Sequence, residues 1–352
     1  MANFKIDNIQ MIGLSAAVPK TKKINSENIL YTKEEIEKFT QATGVSEFRI
    51  ADKFTTTSDL GFVAASNLIN EMKIDKNEID VLIFVSQTPD YLNVPNTAPI
   101  LQNKLGIPSS CIAFDIPLGC SGFVYGLSVL ATFLQNSTLK KGLLICGDTP
   151  SKTINIEDKS SAMLFGDAAS AVILERTVDD VSMSFNLGTD GSGYKAIIIN
   201  EGGFRNPFNA DSLKVINYGE GIKRNGCELV LEGMDVFGFG ISQAPKTVNE
   251  LFEFANISKE NVDFAFFHQA NFKMNEMIRK KLKLEVEKVP YSLKKYGNTS
   301  SASIPLTMVT ELKNQLEKEK FNILLCGFGV GLSWGTCFLE TNKITVLDLI
   351  EL

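Results

Sequence analysis

The chain has 352 residues, which is more than one hydrophobic core usually supports, so we expect two domains or two fused halves. Hydrophobic residues make up 44% of the chain and charged residues 22%, which is typical of folded globular proteins. The net charge of −6 disfavours a general binder of nucleic acid or of anionic membranes.

Targeting and membrane-spanning segments are not predicted. The N-terminal stretch lacks a basic region followed by a long apolar core. No apolar run approaches the roughly 18 residues of a membrane span. The six cysteines are scattered singly and the chain has one histidine, so a zinc site is not expected. We therefore predict a cytoplasmic protein with reduced thiols.

Short β-rich runs alternate with helical stretches along the whole chain. Continuous apolar strands between helices predict an α/β layered fold with buried strands. The runs lie at 81–87, 111–117, 142–148, 168–175, 264–269, 322–329 and 335–340.

The two halves of the chain resemble each other. Residues 73–88 align with 256–271, and each stretch has an acidic turn before a strand. The strand that ends near Cys146 aligns with the strand that ends near Cys326, cysteine on cysteine. Because the matches occur in the same order, the sequence predicts a duplicated fold.

Cys120 lies in a Gly-Cys-Ser-Gly turn between a predicted strand and a predicted helix. Free N–H groups and the helix dipole at such a position favour the reactive thiolate. Gly119 and Gly122 allow a tight turn and close approach of a substrate. A buried cysteine is more often a small hydrophobic residue, and we give that interpretation to the other five. For Cys120 we predict a nucleophile.

His268 is the only imidazole available to assist that nucleophile. It follows the apolar run 264–267, at the strand end where ligands gather in α/β sheets. A structural histidine is the alternative. Asn298 follows a glycine at a predicted helix entrance, where it is either a turn residue or a hydrogen-bond donor to a cleft. The glycine-rich stretch 324–340 lacks the pattern of a phosphate loop and favours inward-pointing amides.

Six stretches in this order resemble the β-ketoacyl-acyl-carrier-protein synthase III family of thiolase fold. This resemblance implies a thiolase-like duplicated αβαβα layered fold with two mixed sheets. It places Cys120 in an N-terminal half, 1–178, and His268 with Asn298 in a C-terminal half, 179–352. Members are typically homodimers. The stretches are TGVSEFRI (43–50), GCSGF (119–123), FGDAASAVILE (165–175), HQAN (268–271), YGNTSSASIP (296–305) and GFGVGLSWG (327–335).

The resemblance also implies an acyltransferase of fatty acid biosynthesis. Cys120 would take the acyl group of a primer, with an oxyanion hole from the N–H groups of Cys120 and Val330. His268 and Asn298 would donate hydrogen bonds to malonyl-acyl carrier protein as CO₂ leaves. The product would be 3-oxoacyl-acyl carrier protein. Neither a metal nor another cofactor is expected, because the substrates carry phosphopantetheine as coenzyme A or acyl carrier protein.

Several positions depart from the family pattern and concern substrate binding. Lys38 and Lys159 align where family members hold the coenzyme A adenine with tryptophan and arginine, which suggests a carrier-bound primer. Val94 aligns with a phenylalanine at the end of the acyl pocket, and Val330 with a glycine. The smaller residue at 94 suggests a longer or branched primer.

Binding of the carrier is predicted for the helix that follows His268. Lys273 resembles a carrier-docking position of the family, and Asn271 is expected to touch the pantetheine arm. The alternative for the lysines is an ordinary solvated helix face. Further basic residues follow at Arg279, Lys280, Lys281 and Lys283.

Other functions stay open at this point. A non-condensing acyltransferase of the same fold would pass the acyl group to an alcohol or amine. A non-catalytic binding subunit and a Cys/His hydrolase are further alternatives. A degradative thiolase needs a second catalytic cysteine, but Cys326 and Cys337 lie in strand-like runs.

Overall fold

The computed structural model describes residues 2–92 and 94–352. Each of the seven apolar runs predicted as strands does form a strand, because β-branched and aromatic residues suit buried strands. The strands described are β1 (Ala2–Asp7), β2 (Ile9–Val18), β3 (Lys22–Ile24), β4 (Glu47–Arg49), β5 (Ile79–Val85), β6 (Ile112–Ile116), β7 (Lys141–Asp148), β8 (Ala168–Arg176), β9 (Ser182–Thr189), β10 (Ile197–Ile199), β11 (Ile216–Gly219), β12 (Ile222–Arg224), β13 (Leu229–Leu231), β14 (Phe264–Phe267), β15 (Asn322–Gly329), β16 (Ser333–Glu340), β17 (Thr345–Val346) and β18 (Ile350–Glu351). The α-helices described are α1 (Lys33–Thr43), α2 (Thr57–Glu71), α3 (Thr97–Leu105), α4 (Gly122–Leu134), α5 (Gly233–Ala255), α6 (Phe272–Leu282), α7 (Leu293–Tyr296) and α8 (Ser303–Leu316).

Two mixed sheets form the centre of the molecule, as the family resemblance implies. The seven-stranded sheet has the order β17-β2-β8-β7-β5-β6, and β18 also pairs with β2. The five-stranded sheet has the order β1-β9-β16-β15-β14. In each sheet a parallel pair, β5 with β7 or β14 with β15, adjoins antiparallel strands.

The predicted duplication is confirmed by strand order and direction. β2-β8-β7-β5 in one sheet corresponds to β9-β16-β15-β14 in the other, with the same parallel and antiparallel pairings. The acidic turns correspond too. Asp80 accepts a hydrogen bond from the N–H of Lys141, and Asp263 accepts one from the N–H of Asn322. Each carboxylate joins the beginnings of the two parallel strands.

The predicted boundary between residues 178 and 179 falls between β8 and β9. Each end of the chain pairs with a strand of the other half. β1 pairs with β9, and β17 and β18 pair with β2. The division into 1–178 and 179–352 stays a prediction.

Helices α4 and α8 lie between the two sheets. Phe123 and Leu127 of α4 and Met308 of α8 are fully buried in one core with residues of both sheets. Helices α2 and α3 pack on the outer face of the seven-stranded sheet, and α5 and α6 on that of the five-stranded sheet. The result is an αβαβα arrangement. Burying each large apolar side chain contributes about 1.5–3 kcal/mol.

This architecture brings distant parts of the chain together. Cys120 precedes α4, His268 follows β14, and Asn298 lies between α7 and α8. Among the residues that the structure describes, no helix is both long and apolar enough to cross a bilayer.

Candidate active site

Cys120, His268 and Asn298 line one cavity of about 390 Å³. Val330 and Asn271 line it as well. Three larger surface clefts, of about 600, 630 and 790 Å³, contain none of these residues. The cavity walls are mostly apolar, as is usual for a site that binds a small organic group. They include Ile197, Ile198, Ile199, Leu229, Leu231, Val236 and Phe328.

Cys120 lies two residues before the first residue of α4 and is partly accessible to solvent. The N–H groups of Val330 and of Cys120 itself lie close enough to its sulfur to lower the pKa of the thiol. Gly329 must be a glycine, because a Cβ there would lie 2.9 Å from the sulfur. The glycine-rich turn thus brings main-chain N–H groups to the sulfur, where an oxyanion of an acylation step would form.

The free thiol of Cys120 is protonated at neutral pH. Burial raises its pKa to about 11, and the nearby Asp148 carboxylate raises it further. Hydrogen bonds from the N–H of Val330 and from Ser300 lower the pKa only in part. The N–H groups near the start of α4 favour the thiolate, as expected, but desolvation outweighs them in the free protein.

His268 is buried, with 1% of its surface exposed, and its ring is neutral. Burial lowers its pKa to about 3, against the opposing effect of a hydrogen bond with the main chain of Ser300. The ring nitrogen Nδ1 lies 2.7 Å from Oγ of Ser303. Phe328 packs edge-on against the ring. A neutral, fixed imidazole is suited to donate one hydrogen bond.

Asn298 is fixed by its own turn. Its Oδ1 accepts a hydrogen bond of 2.9 Å from the N–H of Ser300. Its main chain is hydrogen-bonded to Leu164 and Gly166. Since the side-chain oxygen is engaged, the amide Nδ2 is left to donate into the cavity.

The predicted carrier-binding residues lie beside the cavity. Oδ1 of Asn271 caps α6 through a 2.8 Å hydrogen bond from the N–H of Met274, and Asn271 lines the cavity. Lys273 is exposed on α6 outside the cavity. Arg279 forms a 2.8 Å ion pair with Glu276 and supplies no free cation.

Lys38 and Lys159 lie at the mouth rather than in the cavity. They line a shallow cleft that shares Phe39 with the cavity. Each lysine is paired with a carboxylate at 2.7 Å, Lys38 with Glu34 and Lys159 with Glu35.

Val94 is not among the residues that line the cavity of its own chain, and 82% of its surface is exposed. Its place at the end of the acyl pocket stays a prediction. Tyr91 and Leu92 are exposed beside it. An exposed apolar segment of this kind often marks an interface.

Sequence reasoning missed three polar residues of the site. Asp148 lines the cavity at the end of β7, and Ser300 lies beside Cys120. Ser303 contacts His268. The sequence pattern around the two serines predicts only helix caps. An acidic residue at the end of a buried strand, such as Asp148, could have been predicted as a site residue.

Two regions of the chain match a known sequence family. Residues 114–191 match 3-oxoacyl-[acyl-carrier-protein (ACP)] synthase III, and residues 252–341 match the C-terminal part of that enzyme.

Relatives are similar over most of their length. A β-ketoacyl-[acyl-carrier-protein] synthase III of Clostridioides difficile is 33% identical, covering 94% of this chain and 97% of the relative. One of Caldanaerobacter subterraneus is 34% identical, covering 86% and 89%. A crystal structure of 3-oxoacyl-(acyl-carrier protein) synthase from Burkholderia xenovorans superposes with a TM-score of 0.93 at 35% identity, covering 100% of this chain and 99% of that one.

Proposed function

Because the chain belongs to the 3-oxoacyl-[acyl-carrier-protein] synthase III family, we propose that it condenses an acyl primer with malonyl-acyl carrier protein, releasing CO₂ and forming 3-oxoacyl-acyl carrier protein. The observation that carries this proposal is the meeting of Cys120, His268 and Asn298 in one cavity. The site roles below are part of the proposal.

The first step transfers the primer to Cys120. The sulfur attacks the thioester carbonyl, and the N–H groups of Cys120 and Val330 stabilise the tetrahedral oxyanion. The thiol begins protonated, so its proton must pass to the departing thiolate of the carrier.

The second step removes CO₂ from the malonyl group. A ring N–H of His268 and the amide of Asn298 donate hydrogen bonds to the malonyl thioester oxygen. The enolate formed then attacks the acyl carbonyl, and the sulfur of Cys120 leaves. Removing one such donor typically slows the step about a hundredfold or more. These steps use a thiol, an imidazole and amides, and the proposal includes no cofactor beyond the phosphopantetheine that the substrates carry.

Acyl carrier protein is the proposed partner. Lys273 is exposed on α6, whose first turn also carries the cavity residue Met274. A local basic face near the cavity suits an acidic carrier despite the chain's net charge of −6. Further exposed lysines at the end of α6 are Lys280, Lys281 and Lys283.

The primer is proposed to arrive on a carrier rather than as coenzyme A. Lys38 and Lys159 at the mouth are neutralised by Glu34 and Glu35. Because the two lysines are already paired with carboxylates, they attract the phosphate groups of coenzyme A only weakly. A lysine also lacks the flat surface on which an adenine stacks.

A homodimer is proposed from two exposed features. The apolar side chains of Tyr91, Leu92 and Val94 are exposed, and a partner chain would bury them. β6 is the outer strand of the seven-stranded sheet, and Ile112 on it is 40% exposed. An open sheet edge readily pairs with another chain. In the dimer, Val94 would complete the partner's pocket.

Intact mass and CO₂ release test the two steps separately. Acyl donors should add one acyl group to the wild type and none to Cys120→Ala. The control Cys111→Ala, which removes a partly exposed thiol outside the cavity, should acylate normally. His268→Ala should acylate but not decarboxylate malonyl-carrier. Equal loss of both steps would contradict the assigned roles. Acyl transfer to alcohols or amines without CO₂ release would instead support the non-condensing acyltransferase, which the relatives do not favour.

A further inference from the structure

Asp148 is a buried carboxylate at the end of β7, with 2% of its surface exposed. Its Oδ1 accepts hydrogen bonds from Gln87 N–H at 2.7 Å, Ser86 Oγ at 3.1 Å and Thr88 Oγ1 at 3.3 Å. Its Oδ2 accepts hydrogen bonds from Ser301 Oγ at 2.8 Å and from Ser301 N–H at 3.2 Å. A carboxylate with this many donors is held in one orientation.

These contacts join segments that are far apart in the sequence. The donors at 86–88 follow β5, whereas Ser301 belongs to the segment 298–303, which follows α7 and ends at the first residue of α8. The carboxylate thus fixes the segment 298–303 to the strand ends of the seven-stranded sheet, beside Cys120.

The segment 298–303 positions both proposed hydrogen-bond donors of the decarboxylation step, Asn298 and His268. Asn298 belongs to it, and its Ser303 hydroxyl contacts His268. Ser300 between them contacts the His268 ring through its main chain and fixes Oδ1 of Asn298. A displacement of this segment would move both donors together.

The backbone of the segment 298–303 is strained and needs support. Ser300 has a φ of +50°, in the left-handed region that residues with a side chain rarely adopt. Such a conformation persists only where surrounding contacts enforce it. The two hydrogen bonds from the adjacent Ser301 to Asp148 are such contacts.

We propose that Asp148 is a positioning residue for the condensation: its carboxylate holds residues 298–303 so that Asn298 and His268 aim at one point of the cavity. The proposal rests on the proposed function, and names a residue that acts through the two donors rather than on the substrate.

A second effect separates this role from general structural support. The Asp148 charge acts on Cys120 and raises the pKa of its thiol. The charged or titratable groups that face this sulfur are Asp148 at the end of β7 and His268 after β14, and the ring is neutral. Removing the negative charge should therefore lower the thiol pKa.

The variant Asp148→Asn keeps the shape of the side chain and removes its charge. We expect its kcat for malonyl-carrier decarboxylation to fall about tenfold or more, with KM and Cys120 acylation changed less than about threefold. The pH midpoint of Cys120 alkylation by iodoacetamide should fall. The control Asp115→Asn removes a strand carboxylate that accepts N–H bonds from Thr97 and Ala98 outside the cavity, and should change neither readout.

Ser301→Ala keeps the charge and removes one hydrogen bond to it. It should lower the decarboxylation rate severalfold without moving the pH midpoint of Cys120 alkylation. If Asp148→Asn does not fold, this variant tests the positioning role of Asp148. Equal loss of both half-reactions, an unchanged midpoint in Asp148→Asn, or the same response in Asp115→Asn would overturn the proposal. A wild type that neither acylates nor decarboxylates would instead refute the proposed function, and the alkylation midpoints would still report on Asp148.

Discussion

Ser303 and His268 are joined side chain to side chain, with Oγ of the serine 2.7 Å from Nδ1 of the ring. Ser303 is the first residue of α8, so the histidine is oriented by the segment that carries Asn298. If the hydroxyl donates to Nδ1, the other ring nitrogen carries the proton. Because the ring is neutral, this hydrogen bond sets which nitrogen can donate to substrate.

Ser303→Ala should lower the rate of malonyl-carrier decarboxylation about fivefold, the cost of one hydrogen bond of about 1 kcal/mol. Acylation of Cys120 should stay within about threefold of wild type, since the oxyanion N–H groups are untouched. Single-turnover CO₂ release and intact mass measure the two steps. The control Ser292→Ala removes another buried hydroxyl, which pairs with Thr307 and not with His268. A similar decarboxylation loss in the control would contradict the role of Ser303.

The pH dependence of stability should report on His268. Its pKa in the fold is about 3 against an ordinary 6.5, so between these values the unfolded chain binds a proton that the native chain does not. The stabilising contribution is complete above pH 6.5 and is lost as pH falls toward 3, by about 1 kcal/mol per pH unit. Asp167, whose pKa is raised to about 6, acts in the opposite direction.

Urea unfolding of the wild type and His268→Asn at several pH values between 7 and 4.5 isolates this contribution. The histidine is the only one in the chain, so the difference in unfolding free energy should shrink as pH falls. A difference that is the same at every pH would show that folding does not lower the pKa of the ring.

The repeat, the positions of seven strands and the candidates Cys120 and His268 could be predicted because they leave local patterns. Buried parallel strands are continuous apolar runs, and a nucleophile needs a glycine-lined turn before a helix. The lone histidine at a strand end allowed only one imidazole partner.

The remaining features depend on contacts between distant segments. The thiol pKa of Cys120 is set by burial and by Asp148, neither of which follows from its position before α4. Val94 aligns with a pocket residue of the family yet is exposed in this chain, and an alignment does not carry the three-dimensional position of its segment. The ion pairs that neutralise Lys38 and Lys159 need the three-dimensional position of α1.

Gly329→Ala should abolish most acylation while leaving the fold intact. The added methyl would lie 2.6 Å from Cβ and 2.9 Å from Sγ of Cys120, so the sulfur must move. A shift of about 1 Å at a reacting atom costs roughly a hundredfold in rate. Gly191→Ala is the matched control, because no atom lies within 4 Å of its added methyl. Normal acylation in Gly329→Ala would contradict the close approach that the structure describes.

The nucleotide part of coenzyme A should contribute little to binding at the mouth of the cavity. We expect kcat/KM for Cys120 acylation to differ by less than about threefold between one acyl group on coenzyme A and the same group on pantetheine. Glu34→Gln with Glu35→Gln should raise the coenzyme A value alone, since it frees Lys38 and Lys159. Glu319→Gln, an exposed change elsewhere, is the control. A preference of tenfold or more for coenzyme A in the wild type would refute carrier-bound delivery.

Val94→Asp should convert the proposed homodimer into monomers. A charge placed in an apolar interface loses its hydration without gaining a partner, which typically costs several kcal/mol and would exceed what such a contact contributes. Light scattering coupled to size exclusion measures the mass directly. Val178→Asp places the same charge on another fully exposed valine, between β8 and β9, and should leave the mass unchanged. The exposed segment with Val94 would also complete the partner's cavity, so the monomer should acylate more slowly than the dimer. If Val94→Asp remains a dimer, the interface lies elsewhere.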